Sequence, residues 1–422
     1  MELVATRNKG AEDILPPDTY VWQNTERFMA RIAESYGFDE IRFPTFEKTE
    51  LFVRSVGETT DVVQKEMWTV KGRESTYTLR PEGTAGAIRA VIQNGLLNEA
   101  MPRKIYYQIS AFRHENVQKG RLWEFHQFGA ELVGAAAPQA DAQMISMAND
   151  ILSGLGIGTE LHINSVGCRE CRRKYYEVLR EFLLPVKDKL CDTCRSRFDK
   201  NPMRILDCKS EVCRELTANA PVITDHLCED CAKHFAQVGE LLDEAGIVYK
   251  VDPKIVRGLD YYSRTVFEFI SSDIGAQGTV CGGGRYDGLI EEMGGPATPA
   301  LGFAMGMERL ILALKAKGGT DAKAKGCDLY ILAADSERTG NSALKTAASV
   351  AAALRKSGKT AEYDLCSRSF KAQMKYANKI NAAKLLVIGE SELETGECVI
   401  KDMVSHEQRQ CRLDGEEILR TI

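Results

Sequence analysis

Two segments with period-two alternation constrain the fold of this 422-residue chain more than any other feature. They read KIYYQISAFRHE at residues 104–115 and EFHQFGAELVG at residues 124–134. Successive side chains of a strand point to opposite faces, so the alternation predicts two strands of a sheet with distinct faces. The charged segment between them contains Gly120, which suits a turn, and predicts the tip of a long hairpin. We therefore expect an antiparallel sheet in the first part of the chain.

One face of the second strand is expected to carry polar groups. Alternation places four residues on this face: Phe125, Gln127, Gly129 and Glu131. Gly129 leaves a gap between the two polar side chains, and we expect a small polar ligand to lie in that gap. Considered alone, the segment is better explained as an exposed strand with a charged hairpin tip.

Four other segments change that interpretation. Each combines charged or aromatic residues with glycines in an apolar setting, and they are TYTLRPEGTAG (76–86), RGLDYYSRTVFEF (257–269), CGGGRYDGL (281–289) and ALGFAMGMERL (300–310). Glycines allow the backbone to approach a ligand closely. We therefore interpret the polar face of the hairpin as part of a binding site.

Length and charge limit the remaining possibilities. At roughly 150 residues per domain, the chain predicts two or three domains. A net charge of −5 argues against a general polyanion binder, so any RNA contact must be localised. The N-terminal MELVATRNKG lacks the apolar region of a signal peptide, and no segment approaches the ~20 apolar residues of a membrane span. We expect a cytoplasmic protein.

The cysteines mark where the chain divides. Eight of the thirteen lie between Cys168 and Cys231, and none precedes Cys168. In a large chain without a signal peptide, such a count indicates free thiols or metal ligands rather than disulfides. We interpret residues 168–250 as an insertion within a first domain at residues 1–320.

A second boundary is expected at KAKGGTDAKAKG, residues 315–326, whose composition is typical of a linker. After it, CDLYILAAD and KLLVIG are typical of buried strands, and NSALKTAASVAAALRKSG predicts a helix. This alternation predicts a small α/β domain at residues 327–422. Near the N-terminus, DEIRFPTFE at residues 39–47 is expected to form one strand.

These motifs resemble those of histidyl-tRNA synthetases, which are class II aminoacyl-tRNA synthetases. FRHENVQKGRLWEFHQFGAE is similar to class II motif 2, ALGFAMGMERL to motif 3, and EIRFPTFE to motif 1. RGLDYYSRT and LRPEGT are similar to segments specific to the histidine enzyme. The resemblance implies an α/β (α+β) fold, with an antiparallel catalytic sheet flanked by helices and a C-terminal anticodon-binding domain. It also implies a homodimer with motif 1 at its interface.

The resemblance further implies a histidine–tRNA ligase. Such an enzyme uses ATP with Mg²⁺ to convert L-histidine to histidyl-adenylate and pyrophosphate, and then transfers histidine to the 3′ end of its tRNA. A set of buried acceptors would reject ligands without matching donors, so we expect no editing domain.

The resemblance also assigns residues to this chemistry. The catalytic residues would be Arg257 and Arg113. The histidine-binding residues would be Glu82, Gly83, Thr84, Arg113, Gln127, Glu131, Arg257, Tyr261, Tyr262 and Tyr286. The ATP-binding residues would be Arg113, Glu115, Arg121 and Arg309. Carboxylates and hydroxyls suit a ligand that presents an ammonium and a ring N–H, while the arginine fork suits carboxylate and phosphate.

The cysteine-rich segment departs from this family, in which the insertion is not generally a metal site. CRRKYYEVLREFLLP after the first CxxC pair predicts a helix of about 20 Å, which would separate that pair from the second. If CAKHFAQVGELLDEAG returns antiparallel, the third pair lies beside the second, within reach of tetrahedral Zn²⁺. The expected zinc ligands are then Cys191, Cys194, Cys228 and Cys231. Cys208 and Cys213 are rival partners, and metal-free thiols are the other alternative.

Two other functions compete with the ligase. The regulatory subunit of ATP phosphoribosyltransferase resembles the catalytic part of the family, but it generally loses catalytic motif residues and the anticodon-binding domain. Here the motif arginines Arg113, Arg121, Arg257 and Arg309 are all present, and an α/β domain follows the linker. A zinc-dependent RNA-binding module would explain the cysteines and leave the motif residues unused.

Overall fold

The structure is a computed structural model that describes residues 6–58, 60–318, 326–338 and 340–422. The chain divides into two compact units, Met1–Asp321 and Ala322–Ile422. The segment expected to be a linker begins inside the last helix of the first unit, and residues 319–325 lie outside the described residues. Residues 1–5 of the N-terminal segment lie outside them as well.

The first unit contains two sheets and their helices. Its strands are β1 (Asp39–Glu40), β2 (Phe46–Lys48), β3 (Thr69–Lys71), β4 (Thr76–Leu79), β5 (Arg103–Phe112), β6 (Glu124–Val133), β7 (Glu160–Ser165), β8 (Tyr249–Val251), β9 (Ser263–Ile270), β10 (Thr279–Arg285) and β11 (Ala300–Gly306). Its helices are α1 (Asp18–Ser35), α2 (Thr49–Val56), α3 (Thr84–Gln93), α4 (Pro138–Gly154), α5 (Arg169–Leu183), α6 (Asp192–Lys200), α7 (Glu211–Leu216), α8 (Glu229–Glu244), α9 (Leu289–Glu292) and α10 (Met307–Ala316).

The larger sheet has eight strands in the order β1-β5-β6-β11-β10-β9-β7-β8. Its central pairs are antiparallel, and the pairs at its two edges, β1 with β5 and β7 with β8, are parallel. The expected hairpin is confirmed as β5 and β6, in which Tyr107 pairs with Gly129 and Ile109 with Gln127. The long antiparallel centre therefore places the polar face of β6 in the middle of the sheet.

DEIRFPTFE does not form one strand, and that expectation is wrong. Only Asp39–Glu40 joins the large sheet, whereas Phe46–Lys48 belongs to a separate three-stranded sheet of order β2-β4-β3. Pro44 has no N–H to donate to a ladder, so the strand breaks around it. The guanidinium of Arg80 donates to the carbonyl oxygens of Phe43, at 2.9 Å, and Pro44, at 3.3 Å. These bonds replace partners that a continuous strand would have supplied.

A buried ion pair joins α4 to the sheet. Pro138 opens this helix, where its missing N–H costs nothing, and the apolar side of the helix is buried. Asp141 in its first turn accepts from Arg285 at the end of β10, with 2.5 Å between Oδ2 and Nη2. Both side chains are almost fully buried, and Arg285 also donates to the carbonyl oxygen of Ala135 at 2.8 Å. Such a pair is costly to break because each charge would be left without a partner.

The cysteine-rich segment belongs to the first unit and does not follow the expected course. Helices α5 and α8 begin side by side, since the backbone N–H of Cys228 lies 3.1 Å from Cys171 Sγ. The short helices between them bring the chain back beside α5. There the Tyr175 hydroxyl on α5 donates to the carbonyl oxygen of Pro221 at 2.6 Å. The expected zinc set of Cys191, Cys194, Cys228 and Cys231 is therefore wrong, because these two pairs lie in different clusters.

The second unit is the small α/β domain that its sequence predicts. Its strands are β12 (Leu329–Ala333), β13 (Ala361–Tyr363), β14 (Lys384–Ile388), β15 (Glu397–Asp402) and β16 (Gln408–Arg412), and its helices are α11 (Ser342–Lys356), α12 (Phe370–Lys379), α13 (Glu390–Thr395) and α14 (Gly415–Thr421). The strand order is β13-β12-β14-β15-β16, parallel in the first three and antiparallel thereafter. Every residue of β12 is buried, as expected for a central parallel strand. Within the described residues, no helix combines the length and apolar composition needed to cross a bilayer.

Candidate active site

A cleft of about 450 Å³ lies against the centre of the large sheet. Most of the sequence-predicted site residues line it: Glu82, Thr84, Arg113, Glu115, Arg121, Gln127, Arg257, Tyr261, Tyr262, Tyr286 and Arg309. They come from β6, α3 and α10, and from the loops between β4 and α3, between β5 and β6, before β9 and after β10. Gly83 and Glu131 are not among its lining residues. The structure thus brings together residues that lie more than two hundred positions apart.

Glu131 on β6 is fully buried and organises the wall of the cleft. Its Oε1 accepts hydrogen bonds from the hydroxyls of Thr84, at 2.8 Å, and Tyr107, at 2.9 Å. The Tyr286 hydroxyl donates to Oε2. Burial raises the pKa of Glu131 to about 8, although the three hydroxyl hydrogen bonds oppose that shift.

Gly302 makes room for this carboxylate. It pairs with Glu131 across β11 and β6, and a Cβ at Gly302 would lie 1.7 Å from Glu131 Oε2. Any side chain there would displace the carboxylate from its hydroxyl donors. Gly302, the first glycine of the ALGFAMGMERL segment, therefore shapes the cleft indirectly, by leaving room for Glu131.

The gap at Gly129 is filled by protein, and the expectation that a ligand lies there is wrong. A Cβ at Gly129 would lie 2.3 Å from the hydroxyl oxygen of Tyr107, and one at Gly83 would lie 2.2 Å from Cε2 of the same ring. The Tyr107 ring thus occupies the space that both glycines leave. Sequence reasoning missed Tyr107, although its position directly opposite Gly129 in the predicted hairpin was a usable signal.

Glu82 and Gln127 have different roles at the cleft wall. Glu82 accepts from the backbone N–H groups of Thr84, at 2.7 Å, and Ala85, at 2.8 Å, and so caps the start of α3. Burial raises the pKa of Glu82, and these backbone bonds oppose the shift. The Oε1 of Gln127 is buried with no hydrogen-bond partner among the described residues. It is therefore available to a donor on a ligand.

Arg257 is held in a strained position beside β10. Its φ is 62°, a region that residues with a side chain rarely adopt. Its guanidinium forms an ion pair with Glu268 and lies 5.7 Å from the centre of the Tyr262 ring. A Cβ at Gly282 would lie 2.2 Å from Arg257 Nη2, so CGGGR leaves the space for this group. Backbone strain of this kind is found where the surrounding structure requires one particular placement.

Three more arginines reach the cleft from motifs 2 and 3. Arg113 donates from Nε to the carbonyl oxygen of Pro81 at 2.8 Å, and its guanidinium lies 5.2 Å from the centre of the Phe125 ring. Arg121 pairs with Glu115 at 2.8 Å. Arg309 donates to the carbonyl oxygen of Thr279 at 2.6 Å. Burial and the nearby Arg121 charge lower the pKa of Arg309, and the neighbouring Glu115 carboxylate opposes the shift.

Some lining residues were not foreseen. Arg204, Asp207 and Lys209 come from the cysteine-rich segment, and Glu268 comes from β9. Nothing in the local sequence distinguishes the first three from surface charges, because only the return of the chain brings them to the cleft. His126, on the other face of β6, forms a hydrogen bond through Nδ1 with Glu308 Oε1 at 2.8 Å.

Comparison with known families covers both units. The family described as "Histidyl-tRNA synthetase" matches residues 10–170 and 203–310, and "Anticodon binding domain" matches residues 328–422. The unmatched residues 171–202 fall in the cysteine-rich segment. Both matches agree with the division of the chain into two units.

Individual relatives extend over nearly the whole chain. A histidine–tRNA ligase of Acetivibrio thermocellus is 50% identical over 96% of this chain and 97% of its own length. A histidine–tRNA ligase of Caldanaerobacter subterraneus subsp. tengcongensis is 51% identical over 96% of this chain and 97% of its own length. The crystal structure of apo histidyl-tRNA synthetase from S. aureus superposes with a TM-score of 0.83 at 35% identity, covering 99% of both chains.

The raised pKa of Glu131 predicts how stability depends on pH. Between its ordinary value of 4.5 and about 8, the folded state keeps a proton that the unfolded state has lost. The stability contributed by this group is present at low pH and is lost as the pH rises through that range. Relative to Glu131→Gln, we expect the wild-type free energy of unfolding to fall by about 1.4 kcal/mol per unit between about pH 6 and pH 7.

Tryptophan fluorescence during denaturant unfolding measures this change in the first unit, since all three tryptophans, Trp22, Trp68 and Trp123, lie there. Glu170→Gln is the control, because Glu170 is exposed on α5 and its ordinary titration ends below this range. Its curve should run parallel to that of the wild type. Parallel curves for Glu131→Gln and the wild type would contradict the assignment.

Proposed function

The chain belongs to the histidyl-tRNA synthetase family, and we propose that the cleft of its first unit activates histidine with ATP. The overall reaction is that of a histidine–tRNA ligase, which forms histidyl-adenylate and pyrophosphate and then transfers histidine to the 3′ end of its tRNA. The observation that carries the proposal is a set of buried acceptors and a group of arginines that line one cleft. The regulatory subunit of ATP phosphoribosyltransferase is not favoured, because the motif arginines and the second unit are both present.

The acceptor part of the cleft suits the amino acid. When Glu131 is ionised it accepts from Thr84 and Tyr286, so these two hydroxyls direct their lone pairs elsewhere. Both residues line the cleft, where their oxygens can accept from an ammonium or a ring N–H. Gln127 Oε1 adds a third acceptor without a present partner. A bound ammonium also favours the ionised form of Glu131, because an opposite charge lowers a carboxyl pKa.

The arginine part suits the nucleotide and the reacting carboxylate. In the activation step, an oxygen of the histidine carboxylate attacks the α-phosphorus of ATP, and pyrophosphate leaves. Catalysis of such a step depends on positioning and on stabilising negative charge. We assign Arg113 and Arg257 to the carboxylate and α-phosphate, and Arg121 and Arg309 to the farther phosphates. We assign Glu115, which accepts from Arg121, to the adenine side, in keeping with its place in motif 2.

The family uses ATP together with Mg²⁺, which enters with this substrate. The two cysteine clusters are not part of this chemistry. Among the described residues that line the cleft, Cys281 is the one cysteine, and it belongs to neither cluster.

We place the protein in the cytoplasm, where thirteen unpaired cysteines remain reduced. Cell fractionation checks that placement.

Replacing Arg257 tests the activation site. We expect Arg257→Ala to slow histidine-dependent exchange between pyrophosphate and ATP by at least ~10², because it removes a preorganised charge from the transition state. Arg257→Lys keeps a charge beside Glu268 without the fork and should retain an intermediate rate. Single-turnover adenylate formation within about threefold of wild type would rule out the catalytic role.

Arg264→Ala is the matched control. Arg264 also has a positive φ, of 51°, and an acidic neighbour, with 3.9 Å between its Nε and Asp287 Oδ2, but it does not line the cleft. Its loss should leave the exchange rate within about twofold of wild type. Equal losses from both substitutions would mean that exchange responds to local disruption alone.

We propose that the second unit binds the anticodon of the histidine tRNA, in keeping with its family match. All described cleft residues precede residue 310, so deleting residues 327–422 should weaken tRNA aminoacylation much more than pyrophosphate exchange. Both rates are measured on the same truncated protein. Equal losses, with the tryptophan fluorescence of the first unit unchanged, would contradict the separation.

We also propose that the protein is a homodimer with the three-stranded sheet at its interface. Two large apolar side chains of that sheet face solvent: Phe46 is 58% exposed and Val70 is 64% exposed. Phe46 lies in EIRFPTFE, the segment similar to motif 1.

Light scattering should give about twice the chain mass of 46.8 kDa, and Phe46→Asp should give monomers. The control Val404→Asp alters an exposed apolar residue of the second unit and should stay dimeric; a monomeric wild type contradicts the proposal.

A further inference from the structure

The eight cysteines between residues 168 and 231 form two separate groups of four. The first cluster contains Cys168, Cys171, Cys228 and Cys231, and the second contains Cys191, Cys194, Cys208 and Cys213. Within each cluster the four sulfur atoms lie within 4.8 Å of one another. Each cluster has two buried and two partly exposed members. No cysteine of the segment is left outside a cluster.

The sulfur separations match metal coordination better than disulfides. Four sulfurs about 2.3 Å from a central Zn²⁺ lie about 3.8 Å apart at tetrahedral geometry. Cys168 and Cys171 have their sulfurs 3.5 Å apart, and the sulfurs of Cys191 and Cys208 are 3.8 Å apart. A disulfide requires about 2.05 Å, so these thiols are not bonded to each other.

The backbone around the sulfurs suits thiolates. Cys168, Cys191 and Cys228 each directly precede a helix of eight residues or more, and in each case the second cysteine of the CxxC lies in the first turn. The partial positive charge there favours a thiolate. Backbone N–H groups also point at sulfur: the N–H of Cys228 at Cys171 Sγ, 3.1 Å, and that of Cys191 at Cys213 Sγ, 3.3 Å.

The fold of the segment provides a reason for a metal. Between α5 and α8, residues 184–228 contain only helices of nine residues or fewer. So little regular structure buries a limited apolar area, and small elements of this kind are commonly stabilised by metals. Packing of reduced thiols would not require all eight to converge in groups of four.

We propose that each cluster binds one structural Zn²⁺ through four thiolates, and that the ion of the second cluster holds the cleft-lining segment around Arg204. Binding displaces four thiol protons at each site. The oxidation state of the sulfurs does not change. No catalytic step passes through either ion.

The second cluster is joined to the cleft by consecutive residues. Cys208 lies between Asp207 and Lys209, and both of these line the cleft. Arg204, four residues before Cys208, is almost fully buried. It donates from Nη1 to the carbonyl oxygen of Arg257 at 3.2 Å. An ion at Cys208 would therefore restrain the segment that supports the strained Arg257 backbone.

A second contact reinforces that connection. Arg197, on the helix α6 that Cys191 directly precedes, donates to Asp61 Oδ2 at 3.0 Å, and Asp61 lines the cleft. In contrast, none of the residues described in the cleft lining belongs to the first cluster or its immediate neighbours. The first cluster reaches the cleft through one backbone contact, since Arg172, next to Cys171, donates to the carbonyl oxygen of Tyr262 at 2.9 Å. The first ion would join the starts of α5 and α8, and the second would act more strongly on the cleft, because Asp207 and Lys209 beside Cys208 line it.

Metal analysis of the full-length protein, purified without chelator, tests the stoichiometry. We expect about two zinc ions per chain, and Co²⁺ replacing them should show the absorption of tetrahedral cobalt thiolate. One zinc ion per chain, or none, overturns the two-site proposal. Metal content is independent of the ligase reaction, so this result stands apart from that of the exchange assays.

Paired substitutions separate the two ions. Cys191→Ser with Cys194→Ser should remove about one zinc ion and slow pyrophosphate exchange about tenfold or more. The matched control, Cys168→Ser with Cys171→Ser, should also remove about one ion but leave exchange within about threefold. Equal exchange rates for the two variants, whether both are slow or both unchanged, overturn the assignment of the second ion to the cleft.

Wild-type protein provides the same information if either variant fails to fold. Stepwise titration with an organomercurial should consume the exposed Cys366 first and then release two zinc ions as the eight cluster thiols react. Exchange should be lost with one of the two ions and return only when Zn²⁺ is added together with excess thiol, because thiol alone would reverse a reaction at the cleft cysteine Cys281. Exchange lost before any zinc is released, or retained after both ions are gone, contradicts the proposed link to the cleft.

Discussion

The cleft depends on one buried carboxylate. Glu131 accepts from Thr84 at the start of α3, from Tyr107 on β5 and from Tyr286 after β10, so one side chain joins four separate parts of the chain. Each hydroxyl that donates to it is fixed in orientation, and this determines where its lone pairs point. Burying a carboxylate is costly, which is why its pKa rises, and three hydrogen bonds offset part of that cost. Gly302 is the other requirement, because any side chain there would occupy the position of the carboxylate.

Two kinds of group line the cleft around this carboxylate. Acceptor oxygens line it, and so do arginines on motifs 2 and 3 and before β9. Like charges placed this close together repel, and the lowered pKa of Arg309 reflects both that repulsion and burial. The arrangement is favourable once an anion with several charges lies among the arginines. Arg257, held at a φ of 62°, lines the same cleft.

The cysteine-rich segment contributes to the same cleft. Its residues 171–202 are not matched by the family, whereas Arg204, Asp207 and Lys209 lie in the matched region and line the cleft. The unmatched part thus adjoins residues of the matched part that form the cleft wall. On the proposal of two structural Zn²⁺ ions, the two cysteine clusters hold this irregular segment in one conformation.

The sequence alone determined the local geometry and the family. Period-two alternation predicted the β5–β6 hairpin, because side-chain direction along a strand depends only on the local backbone. Continuous apolar runs predicted the buried strands of the second unit. The glycine-rich motifs identified most of the residues that line the cleft. Tertiary structure alone decided which distant groups meet: Glu131 meeting Thr84 and Tyr286, Arg204 reaching Arg257, and the two cysteine clusters. These depend on how the segment between α5 and α8 folds back and on how strands pair across the sheet. Sequence periodicity carries no information about such returns, because it reports on neighbours along the chain and not on neighbours in space.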